Sequence, residues 1–459
     1  MKLPQTIVTI LDTLENHGFA AYVVGGCVRD SLLGLTPADF DLCTSALPEQ
    51  MEQVFAGQRL VLAGEKHGTV GVCTDTGVVE ITTFRTEGDY RDSRHPDWVR
   101  FVGDVEQDLA RRDFTVNAMA YSPTRGFADP FGGRQDLENK ILRAVGAPEK
   151  RFREDALRIL RGVRFAVRYG LTVEPETRRA MDDQSGGLDS LSRERVFEEL
   201  SKLLPLVTGA DLLEFASIMG AAIPELAPTI GFDQHSPHHA YDLYTHVAYV
   251  TGAVPGELTV RWAALLHDIG KVSTFTRDET GRGHFYGHAP AGAELAEQVL
   301  LGLKAPTRLR CQVVELIGAH MTRLQPEKKL LRRQLSRLGW EQLERELELQ
   351  QADMSSKGTA EPGDLEIFQE IRRMLEEIRR EDSCLKVTDL AVNGEDLMAL
   401  GYQGRQIGER LHWLLEQVLE ETLPNDRQAL LLAAKDSHKG NSTTKSGFFN
   451  PVFWEAESG

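Results

Sequence analysis

The chain has 459 residues, a length that corresponds to about three ordinary domains. Its 52 lysines and arginines against 69 aspartates and glutamates give a formal net charge of −17, which argues against a generic polyanion-binding tail and a cationic membrane-binding surface. Five scattered cysteines without a Cys-x-x-Cys pair argue against a disulfide framework and a structural zinc knuckle. The N-terminal sequence is too polar for a signal peptide, and no apolar run approaches the roughly 18 residues of a spanning helix. We therefore expect a cytoplasmic protein that does not associate with membranes.

The hydrophobic pattern predicts a mixed head followed by a helical body. Apolar residues recur at helical spacing over residues 7–14. Runs rich in valine, threonine and isoleucine predict strands at residues 21–26, 39–45, 69–75 and 77–85. After a turn cluster at 129–133 the helical period dominates, and the polar tail beyond Lys435 is expected to be loose. The fold class is thus α+β, with an N-terminal mixed sheet and helices followed by an all-helical remainder.

A Gly-Gly turn and a pair of aspartates indicate a phosphate and metal site in the head. Gly25 and Gly26 end a predicted strand and open a helix, where the backbone can approach a ligand and helix N–H groups can face phosphate. Asp39 and Asp41 follow in the next predicted strand. Because side chains alternate along a strand, both carboxylates would share one face, with Phe40 pointing into the core. Such a pair favours a hard cation such as Mg²⁺, which also bridges phosphates.

A third acid lies on a later strand of the predicted head. Glu80 is flanked by the apolar residues Val79 and Ile81, so it is a lone carboxylate in a buried pattern. It is therefore a candidate third carboxylate for the same cation site.

These motifs resemble those of a known enzyme superfamily. GGCVRDSLLG followed by DFDLCTS resembles motif A of the nucleotidyltransferases related to DNA polymerase β. RRDFTVNAMAY (111–121), DPFGG (129–133) and EDALRILRGVRFAVRYG (154–170) resemble the next motifs of class II tRNA nucleotidyltransferases, the bacterial-type CCA-adding enzymes. Bacterial poly(A) polymerases share these motifs.

The resemblance implies four domains and a set of site residues. The domains are a catalytic polymerase-β-like head at 1–135, a base-recognising helical neck at 136–220, an HD domain at 221–360 and a helical tRNA-binding tail at 361–459. The catalytic residues that it implies are Asp39 and Asp41 as Mg²⁺ ligands, with Glu80 added by analogy with the wider superfamily. The implied nucleotide-binding residues are Gly25, Gly26, Arg29, Arg112, Asp113, Asn117, Asp155, Arg158, Arg161 and Arg164.

The pair Asp155 and Arg158 offers a physical basis for choosing C and A. The two residues are three apart and would be neighbours on one helix face. A carboxylate only accepts hydrogen bonds and a guanidinium only donates them. Cytosine and adenine present an amino donor beside a ring-nitrogen acceptor, whereas uracil and guanine present the opposite order. The pair therefore complements C and A and faces like groups on U and G, at a cost of about 1–3 kcal/mol for each mismatch.

Two features favour complete CCA addition over poly(A) synthesis. The polar segment between Phe84 and Phe101 has Gly88 as a candidate hinge, and in the CCA-adding family a flexible loop at this place helps the switch from C to A. The poly(A) polymerases of this family usually have strongly basic C-terminal regions, which this chain lacks.

A second constellation lies in the helical body. The doublet in LLHDIGK resembles the HD phosphohydrolase superfamily, and the resemblance implies an H…HD…D ligand set. The implied metal ligands are His246, His267, Asp268 and Asp353, with His288 and His320 as the extra histidines of fuller sites. Imidazole and carboxylate ligands suit Ni²⁺, Mn²⁺ or another divalent ion. We interpret His235, His238 and His239 as ordinary polar side chains.

RNA contact on this acidic chain would need local features. Residues 323–337 contain six basic side chains against one glutamate, a net of +5, and could contact tRNA phosphates. The segments 393–394 and 401–408 resemble the tail motif of the family, whose glycine turns can offer N–H groups to phosphate. The expected partners are the 3′ end and the backbone of the acceptor and elbow of tRNA, with CTP and ATP as substrates and no obligate protein partner.

The sequence thus predicts a CCA-adding tRNA nucleotidyltransferase with possible HD phosphatase or 2′,3′-cyclic phosphodiesterase activity. The alternatives are a poly(A) polymerase, a metal phosphohydrolase whose head only binds RNA, and a non-catalytic RNA-binding scaffold.

Overall fold

The computed structural model describes residues 1–64, 67–88, 99–236, 240–359, 362–381 and 384–436. Most of the charged segment between Phe84 and Phe101, the pair His238–His239 and the Ser/Thr-rich tail therefore lie outside the described residues. The contacts divide the chain into two compact units. The first contains Met1–Met321 and Glu348–Ala360, and the second contains Thr322–Leu347 and Glu361–Gly459.

Most strands belong to the N-terminal part of the first unit. The strands are β1 Ala21–Val24, β2 Leu42–Thr44, β3 Leu60–Val61, β4 Thr69–Thr74, β5 Gly77–Thr83, β6 Arg85–Glu87, β7 Val99–Phe101, β8 Ala120–Ser122, β9 Gly126–Ala128, β10 Ile141–Leu142, β11 Thr172–Val173, β12 Thr276–Arg277 and β13 Gly283–His284. Seven of them form one sheet in the order β3-β4-β5-β2-β1-β8-β9, in which only β2 and β5 run parallel.

Helices surround this sheet and build the rest of the first unit. They are α1 Gln5–Asn16, α2 Gly26–Leu32, α3 Pro48–Val54, α4 Val105–Leu109, α5 Gly133–Glu138, α6 Pro148–Glu154, α7 Leu157–Tyr169, α8 Pro175–Asp183, α9 Arg193–Leu203, α10 Gly209–Glu214, α11 Ala216–Ala222, α12 Leu243–Ala253, α13 Leu258–Leu266, α14 Lys271–Thr274, α15 His288–Gly302 and α16 Thr307–Ala319. The predicted first helix is confirmed, because α1 buries the periodic residues Ile7, Ile10, Leu11 and Leu14.

The second unit is helical. Its helices are α17 Lys328–Leu338, the first part of α18 Trp340–Ser355, α19 Pro362–Arg380, α20 Gly394–Ala399, α21 Arg405–Leu419 and α22 Arg427–Asp436. None of the described helices of either unit has the length and apolar character that crossing a bilayer requires.

The predicted α+β class is confirmed, with two local corrections. The strand predicted at 39–45 is only Leu42–Thr44, because Asp39, Phe40 and Asp41 form no ladder pairs with β1 or β5. The predicted all-helical body also contains the short pairs β10–β11 and β12–β13. Both pairs are two-residue ladders, too short to produce an alternating pattern that the sequence would show.

Candidate active site in the head and a histidine cluster in the body

The turn after β1 requires glycine for two separate reasons. Gly25 has a φ of +79°, a conformation that side-chain-bearing residues rarely adopt. A Cβ atom placed on Gly25 would lie 2.7 Å from Nη1 of Arg112. The backbone of this turn therefore lies directly against a guanidinium that the sequence predicts to bind the nucleotide.

Substituting Gly25 with alanine should therefore weaken CTP binding about tenfold, the loss expected when one charge-assisted contact from Arg112 is displaced. Gly18→Ala is the matched control, because Gly18 also has a positive φ, of +87°, but a Cβ atom placed there would meet nothing within 4 Å. Both variants should lose about 1–3 kcal/mol of stability from the strained backbone. Equal CTP affinity in the two variants, measured by calorimetry, would argue against a role for this contact.

The paired aspartates lie just before the start of β2, the central strand of the seven-stranded sheet. Both are exposed, and Phe40 between them is half-buried against the core, so the predicted alternation holds although the segment is not a strand. The carbonyl of Asp41 accepts a 2.9 Å hydrogen bond from the backbone N–H of Val24, which fixes this segment beside β1. Desolvation, followed by the charge of Asp39, raises the pKa of Asp41. A bound cation would relieve this repulsion.

Glu80 lies beside Asp41 across the parallel pair β2–β5. Leu42 is in register with Ile81, so the residues that precede them, Asp41 and Glu80, are neighbours. The charge of Glu80 contributes to the raised pKa of Asp41. However, the carboxylate oxygens of Asp39, Asp41 and Glu80 do not all lie within 4.8 Å of one another. The third-acid role of Glu80 therefore stays a prediction.

A buried hydrogen-bond chain links the Gly-Gly turn to helix α7. Nη1 of Arg29 donates to Oδ1 of Asn117 at 2.5 Å, and Nδ2 of Asn117 donates to Oδ1 of Asp113 at 3.1 Å. Oδ2 of Asp113 accepts from Nε and Nη2 of Arg161 at 2.9 and 2.7 Å. Nη2 of Arg29 also donates to the hydroxyl of Tyr169 at 2.6 Å. The predicted residues from three separate motifs are thus held as one rigid network.

This network makes a pH-dependent contribution to stability. Burial alone would raise the pKa of Asp113, but the charge of Arg161 and the hydrogen bonds from Asn117 and Arg161 lower it to about 2. A depressed folded-state pKa gives stability that is present above the unfolded value of about 3.9 and lost as the pH falls towards 2. We expect unfolding free energies at pH 5 and pH 2.5 to differ by about 2 kcal/mol more in the wild type than in Asp113→Asn. Equal pH dependence of the two proteins in urea titrations would contradict this assignment.

These side chains line a cavity of about 500 Å³. The lining consists of Gly25, Gly26, Arg29, Asp41, Arg111, Arg112, Asp113, Asn117, Asp155, Leu157, Arg158, Arg161, Phe165 and Arg195. Six arginines and three aspartates give it a cationic excess on a chain whose net charge is −17. Nε of Arg112 is buried without a hydrogen-bond partner, so this cation keeps donor capacity for a ligand.

Asp155 and Arg158 both face this cavity, but they do not form the predicted neighbouring pair on one helix. Asp155 is the first of the two residues between α6 and α7, where its Oδ1 accepts from the N–H of Leu157 at 3.0 Å. Its Oδ2 accepts from Nη2 of Arg195 at 2.7 Å, while Nη1 of Arg158 donates to Glu154 at 2.7 Å. Each member of the pair is therefore oriented by a partner of its own.

The structure adds two arginines that the sequence reasoning did not select. Arg111 precedes the predicted Arg112 and bonds the buried Asp108 at 3.0 Å, so the doublet itself was a signal that could have been used. Arg195 lies 40 residues after Asp155, on α9, and no local spacing connects the two. Arg164, in contrast, does not line the cavity and forms a buried salt bridge with Glu199 on α9. Its implied role in base recognition stays a prediction.

The six predicted metal ligands of the body converge at one place. His246 lies on α12, His267 and Asp268 follow α13, His288 opens α15, His320 ends α16 and Asp353 lies near the end of α18. His246, His267, Asp268 and Asp353 can hold one ion together, and so can Asp268, His288 and His320. The helical body thus gathers residues that are 107 positions apart in the sequence.

The distances in this cluster suit a shared cation. Nε2 of His246 lies 3.0 Å from Oδ1 of Asp353 and 3.5 Å from Oδ2 of Asp268. Nε2 of His288 lies 3.6 Å from Oδ1 of Asp268, and Nε2 of His320 lies 3.8 Å from the same oxygen. Asp268 and the histidines around it are all buried.

The protonation states also fit ligation. Burial lowers the pKa of His288 and lowers the pKa of His320 to about 4, so both imidazoles are neutral near pH 7. Burial alone would raise the pKa of Asp268, but the charges of His267 and Lys271 hold it well below its usual range. Nε2 of His288 is buried without a hydrogen-bond partner. Nε2 of His267 lies 3.2 Å from Oδ2 of Asp268, and this carboxylate raises the pKa of His267 against the effect of burial. The neutral imidazoles of His288 and His320 beside an ionised carboxylate form a donor set for a divalent ion.

The basic segment 323–337 does not present a row of free cations. On α17, the four charges at positions 328, 329, 332 and 333 form salt bridges with glutamates of the same unit. The pairs are Lys328–Glu377, Lys328–Glu381, Lys329–Glu420, Arg332–Glu381, Arg332–Glu421 and Arg333–Glu420. Phosphate would have to compete with these carboxylates, although exposed salt bridges of this kind are weak. Contact of this segment with tRNA therefore stays a prediction.

The tail motif at 401–408 lies at the start of α21. Gly404, with a φ of +53°, precedes this helix, and a cavity of about 620 Å³ lies along its exposed face. Arg405, His412 and Trp413 line that cavity together with Glu416 and with Glu409, which lies 2.8 Å from Arg405. Contact of this segment with RNA therefore stays a prediction.

Three family profiles match this chain. Residues 21–143 match the family described as Poly A polymerase head domain. Residues 170–230 match the one described as probable RNA and SrmB-binding site of polymerase A. Residues 289–434 match the one described as tRNA nucleotidyltransferase domain 2, putative.

Named relatives agree with these matches. The CCA-adding enzyme of Geobacillus stearothermophilus is 45% identical over 230 residues, which are 50% of this chain and 56% of that protein. The matched segment therefore spans little more than half the length of this curated relative. A solved CCA-adding enzyme of Thermotoga maritima, complexed with tRNA-CCA, has a TM-score of 0.62 at 20% identity over 95% of this chain and 96% of that chain, and shows a common fold.

A third comparison covers nearly all of both chains. The crystal structure of the Bacillus stearothermophilus CCA-adding enzyme in complex with CTP has a TM-score of 0.68 and 30% sequence identity, over 96% of this chain and 98% of that chain. Together with the motifs gathered around the head cavity, these similarities show that the chain belongs to the family of bacterial-type CCA-adding enzymes.

Proposed function

We propose that the head cavity adds the 3′-terminal CCA of tRNA from CTP and ATP, without a nucleic-acid template. The observation that carries this proposal is the cavity itself, in which six arginines meet the Gly-Gly turn and Asp41. Such a cationic excess would neutralise the charge of a triphosphate and attract it into the cavity. Membership of the CCA-adding family supports the choice of tRNA as acceptor.

The arginines nearest the turn would bind the triphosphate. Arg29 and Arg112 flank Gly25, and Nε of Arg112 has no protein partner. Asp113 and Asn117, held by Arg161 and Arg29, would place the ribose. Because these groups are already fixed by one another, little ordering is needed when the nucleotide binds.

Asp39 and Asp41 would hold Mg²⁺. The raised pKa of Asp41 beside Asp39 supports this, since neither carboxylate forms a salt bridge with a described residue and a cation would neutralise the pair. When bound, Mg²⁺ would supply charge stabilisation to the attacking and leaving oxygens. In the reaction, the 3′-hydroxyl of tRNA attacks the α-phosphorus of the nucleotide, and pyrophosphate leaves.

Asp155 and Arg158 would select the base. Arg195 and the N–H of Leu157 hold Asp155, while Glu154 holds Arg158, so the acceptor and the donor are presented separately to the cavity. A base that offers an amino donor beside a ring acceptor can bridge them. Only one copy of the Gly-Gly and Asp-x-Asp motif occurs in the chain, so one site would perform all three additions.

The test is incubation of the purified chain with tRNA lacking CCA, all four nucleoside triphosphates and Mg²⁺, followed by sequencing of the 3′ ends. The proposal predicts ends that read CCA and stop there. Long runs of A would favour a poly(A) polymerase, and unextended ends would leave a phosphohydrolase or an RNA-binding scaffold.

The histidine cluster of the body supports a second function, hydrolysis of phosphate esters. His246, His267, Asp268 and Asp353 would hold a divalent ion such as Ni²⁺ or Mn²⁺, with His288 and His320 beside them. Such an ion would activate water against a phosphomonoester or a 2′,3′-cyclic phosphodiester.

Removal of one candidate metal ligand should impair metal binding at the histidine cluster without affecting nucleotide addition in the head. His246→Ala removes an imidazole that lies close to the carboxylates of both Asp268 and Asp353. It should lower the Ni²⁺ affinity at least about tenfold, because the loss of even an outer-shell partner of a metal ligand commonly has that effect. Nucleotide addition should stay unchanged. His17→Ala, which removes an exposed histidine just after α1, is the control. Unaltered metal content of His246→Ala by mass spectrometry would exclude this cluster as the metal site.

A further inference from the structure

A second cavity, of about 250 Å³, opens directly onto the histidine cluster. Asp268, His288, His320 and Asp353 form its inner wall. Its outer wall is the hairpin β12–β13 and the turn that follows it, with Gly283, His284, Phe285 and Tyr286. The inner wall, called the floor below, therefore consists of candidate metal ligands. The outer wall, called the mouth below, contains none of these candidate ligands.

Cations lie between the floor and the mouth. Nζ of Lys271 is 2.7 Å from Oδ2 of Asp268, and Nζ of Lys357 is 3.0 Å from Oδ2 of Asp353. Arg282 lines the same cavity from the hairpin. Both carboxylates are candidate metal ligands, so a bound ion would neutralise them and leave the two lysines to meet the phosphate of an anionic ester.

The mouth carries a fixed, exposed aromatic ring. Tyr286 is 79% exposed, the highest value among the exposed large hydrophobic side chains of the described residues. Its ring stacks on His284 with centroids 5.4 Å apart and planes inclined by 5°, and Nε2 of His284 lies 2.7 Å from Oδ2 of Asp278. The imidazole is thereby pinned, and it orients the tyrosine ring with one face open. Met321, 57% exposed, lines the cavity as well.

We propose that Tyr286 and His284 form a base-stacking platform, and that the cavity takes nucleoside monophosphate esters in preference to other phosphate esters. The base would lie on the open face of Tyr286 while its phosphate reaches Lys271 and Lys357 at the cluster. Base stacking on an aromatic side chain is tolerant of base identity, so the platform recognises a nucleotide without choosing one. This inference rests on the proposed phosphohydrolase function for the location of the phosphate.

The experiment uses the full chain loaded with Co²⁺. Because the proposed head site can also bind a divalent ion and a nucleotide, the absorption change of His246→Ala, which lacks a ligand of the histidine cluster, is subtracted from every titration. The probes are AMP and ribose 5-phosphate, which differ in the base. The wild type should bind AMP about tenfold or more tightly than ribose 5-phosphate. Tyr286→Ala should remove this preference by weakening AMP alone, Tyr286→Phe should retain it, and Lys357→Ala should weaken both probes. Phe127→Ala, at an exposed ring of the head, is the control.

Equal affinities of the wild type for the two probes would overturn the proposal, and so would a Tyr286→Ala variant that keeps the preference for AMP. Hydrolysis of bis(p-nitrophenyl) phosphate by the same samples tests the underlying function separately. No hydrolysis together with a Tyr286-dependent preference for AMP would refute the phosphohydrolase and leave the binding platform standing.

Discussion

Replacing Asp41 with alanine should lower the rate of nucleotide addition about 10³-fold or more. The physical reason is that the proposed Mg²⁺ site would lose a carboxylate ligand. The charge stabilisation that a bound metal ion supplies to the transition state is worth several kcal/mol, and each 1.36 kcal/mol changes the rate about tenfold. Asp41 is exposed and makes no salt bridge with a described residue, so the folded state should lose little stability. Single-turnover extension of tRNA lacking CCA, with thermal unfolding measured in parallel, checks both expectations.

Asp12→Ala is the matched control, since Asp12 is an exposed aspartate of the same unit on α1. Glu80→Gln extends the series, because it neutralises the carboxylate beside Asp41 and should reduce activity less than Asp41→Ala. Full activity of Asp41→Ala would mean that nucleotide addition does not depend on this carboxylate pair, and the proposed mechanism would be wrong.

Replacing Asp155 with alanine should relax discrimination against UTP about tenfold to a hundredfold. The loss of an acceptor that faces the carbonyl of uracil removes a mismatch worth about 1–3 kcal/mol. Because Oδ1 of Asp155 also accepts a hydrogen bond from the N–H of Leu157, the first residue of α7, this variant should lose about 1 kcal/mol of stability as well. The ratio of CTP to UTP incorporation, measured in competition, separates selectivity from stability.

Asp155→Asn refines this test, since an amide retains an acceptor for the cap and can donate to a uracil carbonyl. It should accept UTP at least as well as Asp155→Ala. Asp189→Ala, which removes an exposed carboxylate close to α9, is the control and should keep the wild-type ratio. An unchanged CTP to UTP ratio in both Asp155 variants would refute base selection by this residue.

The sequence predicted those parts of the head that depend on local pattern. The strand that ends at Gly25 and the amphipathic helix α1 follow from hydrophobic spacing and from glycine, and the structure has both. The residue types at 39–45 predict a strand over the whole segment, but only its last part, Leu42–Thr44, forms ladder pairs with β5. Strand propensity is local, whereas a strand also needs a hydrogen-bonded partner, which the fold supplies only from Leu42 onward.

Contacts between distant segments account for what sequence reasoning missed. The partner of Asp155 is Arg195 on another helix, and the partner of Arg164 is Glu199 on the same helix as Arg195. The glutamates that neutralise α17 come from α19 and from residues 381, 420 and 421. A stripe of basic residues on one helix gives no information on the acids that the fold brings to it.

The histidine cluster shows how many ligands of a metal site a short sequence motif can predict. The His-Asp doublet identified two ligands from adjacent residues, and its four partners were placed by family resemblance and spacing. The structure brings all six side chains together because α12, α13, α15, α16 and α18 direct these residues towards one centre. Spacing alone could not have supplied this convergence, since it depends on how five helices pack.

The most direct test of the proposed head site is a crystal structure of the chain with CTP and Mn²⁺, in which anomalous scattering identifies the ion. We expect an anomalous peak coordinated by Asp39 and Asp41, with the triphosphate between that ion and Arg112. A CTP molecule bound outside this cavity, with no anomalous peak at the two aspartates, would contradict this proposal.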